Sequence, residues 1–112
     1  MRKIERDMIA AIRAGKSKVI GNTQASVEPV VTRVFLHGNH IATLRNNLER
    51  VEFTLAGWPT PTTRSRINAL LQTFIHANAR VYQTAGLQYV TVPEGPNGWQ
   101  PRAISPTEWV QA

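Results

Sequence analysis

Residues 60–78 constrain the fold of this chain more than any other stretch. Thr60 is a good N-cap, and Pro61 suits the first helical position, where no N–H is needed. Ile67, Leu70, Leu71, Phe74 and Ile75 then fall at i, i+3, i+4, i+7 and i+8, which is one apolar stripe on one helix face. Asn78 is a credible stop. At about 1.5–3 kcal/mol for each fully buried side chain, the stripe makes this helix the main stabiliser of the fold. A sheet is the simplest partner for it.

Strand patterns lie on both sides of that helix. From about residue 19 to residue 56 the apolar period is two. Residues 23–28, 30–37, 40–45 and 50–56 read as four strands, with Gly38-Asn39 as a tight turn between the second and third. In the fourth, Val51, Phe53 and Leu55 alternate with Glu52 and Thr54, as expected of a sheet with one buried face. Residues 80–84 and 87–92 add two strands around Ala85-Gly86. Residues 2–14 read as a first helix, with Ile4, Met8 and Ile12 every four residues, Ala11 beside them and Gly15 as the stop. Its Arg2, Lys3, Arg6 and Arg13, followed by Lys16 and Lys18, are partly offset by Glu5 and Asp7 and read as a solvated outer face. The expectation is an α+β fold: an antiparallel β-meander with two helices packed on one face, in the order α-β-β-β-β-α-β-β. Residues 1–92 form the domain. Residues 93–112 hold Pro93, Pro96, Pro101 and Pro106 and read as an irregular C-terminal arm.

At 112 residues the chain has room for one core and little more. With no cysteine, disulfides, thiolate metal sites and a cysteine nucleophile are excluded. Residues 1–15 are charged throughout and read as neither a secretory signal nor a membrane span, so a cytoplasmic location in the host cell, with no membrane partner, is expected. The net charge of +6 points to a polyanion or an acidic protein surface.

The start of the second helix concentrates the chemistry. Thr62, Thr63, Arg64 and Arg66 stand where backbone N–H groups are free, and no carboxylate lies in the first turn. The two arginines diverge by about 200° around the axis, yet both can reach toward an anion near the helix end. On the hairpin, His37 and His40 flank the expected turn, and Arg33 and Phe35 share a strand face that mixes basic and aromatic groups. These seven polar residues, Thr62, Thr63, Arg64, Arg66, Arg33, His37 and His40, form the expected phosphate-binding set. Trp99 and Trp109 in the arm need burial against the domain or a partner. The two histidines lack a third ligand, so no metal is expected. No motif for phosphate loops, zinc hydrolysis or a serine nucleophile occurs, so neither an enzyme nor a cofactor is expected.

Residues 1–15, the Phe-Leu-His-Gly-Asn hairpin, the run Gly57-Trp58-x-Thr60-x-Thr62-Thr63-Arg64-Ser65-Arg66-x-Asn68-Ala69-Leu70, and Val81-Tyr82-Gln83 together resemble small proteins encoded by bacteriophages and mobile elements. The resemblance spans most of residues 1–92, leaves the arm outside, and implies a genomic setting rather than a mechanism. The leading expectation is a non-enzymatic nucleic-acid-binding protein, dominated by phosphate contacts and favouring single strands over duplex, because the second helix must bury its apolar stripe. The alternatives are an inhibitor that covers an acidic surface of a host protein, using Trp99 and Trp109, and a sponge for a small nucleotide signal. An exposed strand edge leaves room for a homodimer.

Overall fold

Thr60 and Pro61 start the second helix as expected. In the computed structural model, which describes residues 1–47, 50–96 and 98–112, helix α2 spans Pro61–Phe74. The Thr60 hydroxyl accepts a hydrogen bond from the Thr63 amide at 3.2 Å. Ile67, Leu70 and Leu71 are fully buried, while Phe74 and Ile75 close the edge of the core. The helix ends at Phe74, ahead of Asn78: the Ile75 amide still makes the ordinary helical bond to the Leu71 carbonyl, but the His76 amide goes to that same carbonyl instead of to Gln72. Helix α1 (Lys3–Arg13) buries Met8, Ile9, Ala11 and Ile12, and Gly15 ends it in the left-handed region at φ 66°.

Strands β1 (Lys18–Ile20), β2 (Thr23–Val27), β3 (Val31–Leu36), β4 (Asn39–Arg45) and β5 (Val51–Phe53) follow α1, and β6 (Val81–Thr84), β7 (Leu87–Glu94), β8 (Gly98–Ile104) and β9 (Val110–Gln111) follow α2. They make two antiparallel sheets, one in the order β1-β2-β3-β4-β5-β9 and one in the order β6-β7-β8. The α+β fold and the meander β2 to β5 agree with the sequence pattern. Thr23, Ala25, Thr32, Val34, Leu36, Ala42, Leu44, Val51 and Phe53 line the inner face of the larger sheet. Helix α1 packs on its β1–β2 end and α2 on β4 and β5. The smaller sheet leans on α2 through β6, and its Val81, Val90 and Ile104 join the same core. The Asn68 side chain pins it there, accepting from the Val81 amide at 2.6 Å and donating to the Val81 carbonyl at 2.9 Å.

Three expectations are corrected. First, residues 93–112 are not an irregular arm. Strand β7 runs through Pro93, β8 pairs with it from Gly98 to Ile104, and β9 completes the larger sheet beside β5. The prolines fit because each avoids a ladder with strands on both sides: Pro101 is on edge strand β8, and Pro93 lies beyond the end of β6. Second, β1 was absent from the expected order; it has only three residues, and Lys18 and Val19 are exposed. Third, the hairpin turn is His37-Gly38, not Gly38-Asn39. Both residues have positive φ, 51° and 77°, and Leu36 pairs with Asn39. His40 is thereby set opposite Phe35, and a bulge at Val34/Phe35 lets Ile41 and Ala42 both face inward.

The Ala85-Gly86 turn has the same geometry, with Ala85 at φ 51° and Gly86 at φ 77°. A β-carbon there is strained, and asparagine tolerates the region better. Ala85→Asn is expected to stabilise the protein by about 0.5–1 kcal/mol, read as a higher urea midpoint at unchanged slope. An unchanged or lower midpoint would mean that the turn carries no such strain.

Candidate nucleic-acid interface

Because the strands alternate, burying one face of the larger sheet sends the other set of side chains outward. Val31, Arg33 and Phe35 of β3, His40, Thr43 and Arg45 of β4, and Glu52 of β5 stand on that outer face, all half-buried or exposed. Both helices occupy the opposite face, so this one stays open to solvent.

Three rings form a row across it. The Phe35 and His40 ring centroids are 5.2 Å apart, and those of His40 and Trp109 are 4.8 Å apart. Hydrogen bonding fixes the middle ring: His40 Nε2 is 3.0 Å from the Ala42 carbonyl oxygen and 2.8 Å from Thr43 Oγ1. Trp109 is held from behind. Val110, its neighbour, is buried in the core. The turn at 105–108 is closed by the Ser105 amide donating to Glu108 Oε1 at 2.6 Å and tied to the body by the Gly57 amide donating to the Pro106 carbonyl at 2.9 Å. Trp109 still exposes 47% of its surface. Beside the rings, Arg33, Arg45 and Arg50 surround a shallow depression that also holds Thr43 and Glu52. Arg33 is ion-paired with Glu28, while Arg45 and Arg50 are exposed. The surface therefore sets a cluster of mutually packed rings, with Trp109 its most exposed member, next to guanidinium groups.

The expected phosphate set does not converge. Arg66 is 2% exposed and makes a 2.7 Å ion pair with Glu5, itself 2% exposed. Its Nε and Nη2 donate to Thr23 Oγ1 at 2.9 Å and Asn22 Oδ1 at 3.3 Å. The Glu5 carboxylate also accepts from the Ser65 hydroxyl at 2.6 Å and from the Arg2 amide at 3.2 Å. Burial alone would raise its pKa, but the bonds from Ser65, Arg66 and Arg2, with the Arg66 charge, outweigh it and leave the carboxyl below its ordinary value. Arg66 is thus a cross-brace between α1, α2 and β2, not an open cation, and Thr63 is buried beside the cap.

Arg64 turns the other way. Its guanidinium donates to the Pro59 carbonyl at 2.8 Å and to the side-chain oxygens of Gln83 and Gln88 at 3.0 and 3.1 Å, tying α2 to the smaller sheet. Thr62 and Thr63, with His37 of the hairpin turn, line a mainly apolar cavity of about 400 Å³ walled by Leu36, Ile41 and Leu55 and edged by exposed Trp58. Of the two tryptophans assigned to a partner, Trp99 is half-buried against the domain, its ring 4.9 Å from that of His76, and Trp109 belongs to the ring row. Arg33 and His40 therefore share the open face with Trp109, while His37, Thr62 and Thr63 meet elsewhere. Arg45 and Arg50 lie outside the expected phosphate set, although their outward parity follows from the buried positions of Leu44 and Val51 beside them.

The architecture defines a class: an α+β domain whose larger antiparallel sheet is backed by helices on one side and, among the described residues, carries no helix on the other. The chain belongs to the Kyanoviridae Gp96 protein family, whose model matches residues 1–111, and it is a phage-encoded protein. The match takes in residues 93–111, which the earlier resemblance left outside, in keeping with their place in the two sheets. No curated protein and no solved structure matches the chain. Among the described residues no helix is long and apolar enough to cross a membrane.

Proposed function

We propose that this phage protein is a non-enzymatic binder of single-stranded nucleic acid, taking bases on the Phe35–His40–Trp109 row and phosphates on Arg33, Arg45 and Arg50. The observation that carries the reading is the ring row itself, spaced at 5.2 and 4.8 Å on a solvent-open sheet face. A fully apolar contact surface would be expected to lie under a packed element, whereas these rings alternate with charged and hydroxyl side chains. Duplex is disfavoured at this sheet face because its bases are already stacked and the face presents strands, not a helix, to a groove.

The test is a fluorescence titration of the protein with oligothymidylate and with a duplex of equal length, at two salt concentrations. Single strands are expected to bind at least about tenfold tighter than duplex, with affinity falling steeply as salt rises. At about 1–3 kcal/mol per stacked base, Phe35→Ala and Trp109→Ala should each weaken binding by roughly 5- to 150-fold. Absence of binding at low salt, or ring variants that bind like the wild type, would end the proposal. A second reading, a sponge for a small nucleotide signal, has the cavity edged by Trp58 behind it. Mononucleotides that bind there would leave the affinity of Trp58→Ala for oligothymidylate unchanged while losing their own.

A further inference from the structure

Residues 1–18 carry six of the thirteen basic side chains, Arg2, Lys3, Arg6, Arg13, Lys16 and Lys18, and all six are exposed. In the sequence, Glu5 and Asp7 stand against them. The fold removes Glu5 from this balance, because its carboxylate is spent inside on Arg66 and Ser65. Asp7, half-buried, is the one remaining carboxylate among these residues. The outer side of α1 therefore holds a much higher density of positive charge than its composition suggests.

The charges are also ordered. On a helical projection Arg2, Arg6 and Arg13 fall within about 40° of one another, with Lys3 and the small Ala10 beside them. From Arg2 to Arg13 the ridge rises about 16 Å, the axial length of roughly five base steps. A shallow groove between α1 and α2, lined by Met1, Arg6, Ile9, Ala10, Arg13 and Thr73, runs along it. The Arg13 guanidinium is steadied 5.7 Å from the Phe74 ring centroid. Lys18 extends the same side, since its register with Ala25 puts it on the sheet face that α1 covers.

We infer that this ridge is a second phosphate-binding surface, and that one protein molecule bridges two segments of nucleic acid. The occupant is fixed by charge complementarity: a row of cations at helical spacing suits a repeating phosphate backbone and offers nothing to read a base. The ridge and the ring row face away from each other, because α1 packs on the inner face of the larger sheet and the rings are on its outer face. One strand cannot easily serve both. The bridging claim rests on the proposed function for one of its two contacts.

The experiment mixes the protein with two short oligothymidylates, one bearing a donor dye and one an acceptor, and reads energy transfer beside the binding of either strand alone. Wild-type protein brings the two strands together. Arg6→Gln with Arg13→Gln, both at exposed positions, is expected to keep single-strand binding within about threefold and to lose at least about tenfold of the transfer signal. Phe35→Ala with Trp109→Ala also loses transfer while keeping a weaker, salt-sensitive contact through α1. Wild type that binds strands without transfer, or an Arg6→Gln/Arg13→Gln protein that still bridges, overturns the inference and leaves the sheet face as the binding surface. If the ring variant binds and bridges normally, the sheet face is not a contact, and both readings fall. If no strand binds to any of the proteins, both fall as well.

Discussion

Glu5→Gln is expected to destabilise the protein by about 3–5 kcal/mol, a large part of the 5–15 kcal/mol that holds a typical domain together. The expectation follows from what the substitution leaves behind. Arg66 stays 2% exposed with no counter-charge, and Ser65 and the Arg2 amide lose an ionised acceptor. Arg66→Met is milder at the arginine but strands the Glu5 carboxylate, so it should cost a similar amount. The double variant Glu5→Leu/Arg66→Met replaces two buried charges with packed apolar volume and should recover at least about 2 kcal/mol of either single loss. Urea unfolding of the four proteins decides this. A Glu5→Gln protein within about 1 kcal/mol of wild type would show that the pair is not a brace.

The same carboxylate gives the fold an acid limit. Its pKa in the folded protein lies below its ordinary value of 4.5, so its contribution is fully present above that value and drains away as pH falls through the lower, folded one. Stability should therefore drop below about pH 4.5, and the part of that drop due to Glu5 should be missing in Glu5→Gln.

How much of this was written in the sequence differs from element to element, for reasons that can be named. Helix α2 was legible because its cap, its proline and its apolar stripe all agree. Strands β2 to β7 were legible because a half-buried sheet enforces a period of two. The hairpin slipped by one residue because Gly38 suits either turn; its partner in the turn is His37, at φ 51°, and Asn39 already opens β4. The chemistry at the start of α2 was misjudged for a different reason. Arg64 and Arg66 do diverge as helical geometry requires, but Glu5 is 61 residues from Arg66, and no local pattern announces a pair at that separation. The open sheet face was half legible: Arg33, Phe35 and His40 could be grouped by alternation, while Trp109 reaches them only because β9 returns to pair with β5. Four prolines concealed that return, since proline argues against strands in general but not against edge strands or overhanging ends.

Ending the chain at Val92 is expected to unfold it, not to trim an appendage. The truncation removes β8 and β9, and with them Ile104 and Val110, which are 8% and 2% exposed in the shared core. Two side chains at about 1.5–3 kcal/mol each come to roughly 3–6 kcal/mol, before counting the ladder bonds of β7 and β5 that lose their partners. Phe53, fully buried next to Val110 in the sheet, would be opened to water along that edge. Circular dichroism and urea titration of the 1–92 chain should show no cooperative transition, or one shifted down by most of the stability. A truncated chain that melts cooperatively near the wild-type midpoint would restore the view that the last twenty residues are a separable arm. The distinction decides how binding experiments are read. If the shortened chain is unfolded, its failure to bind nucleic acid says nothing about Trp109, and the role of that ring must be taken from Trp109→Ala, which leaves Val110 and the β5–β9 pairing in place.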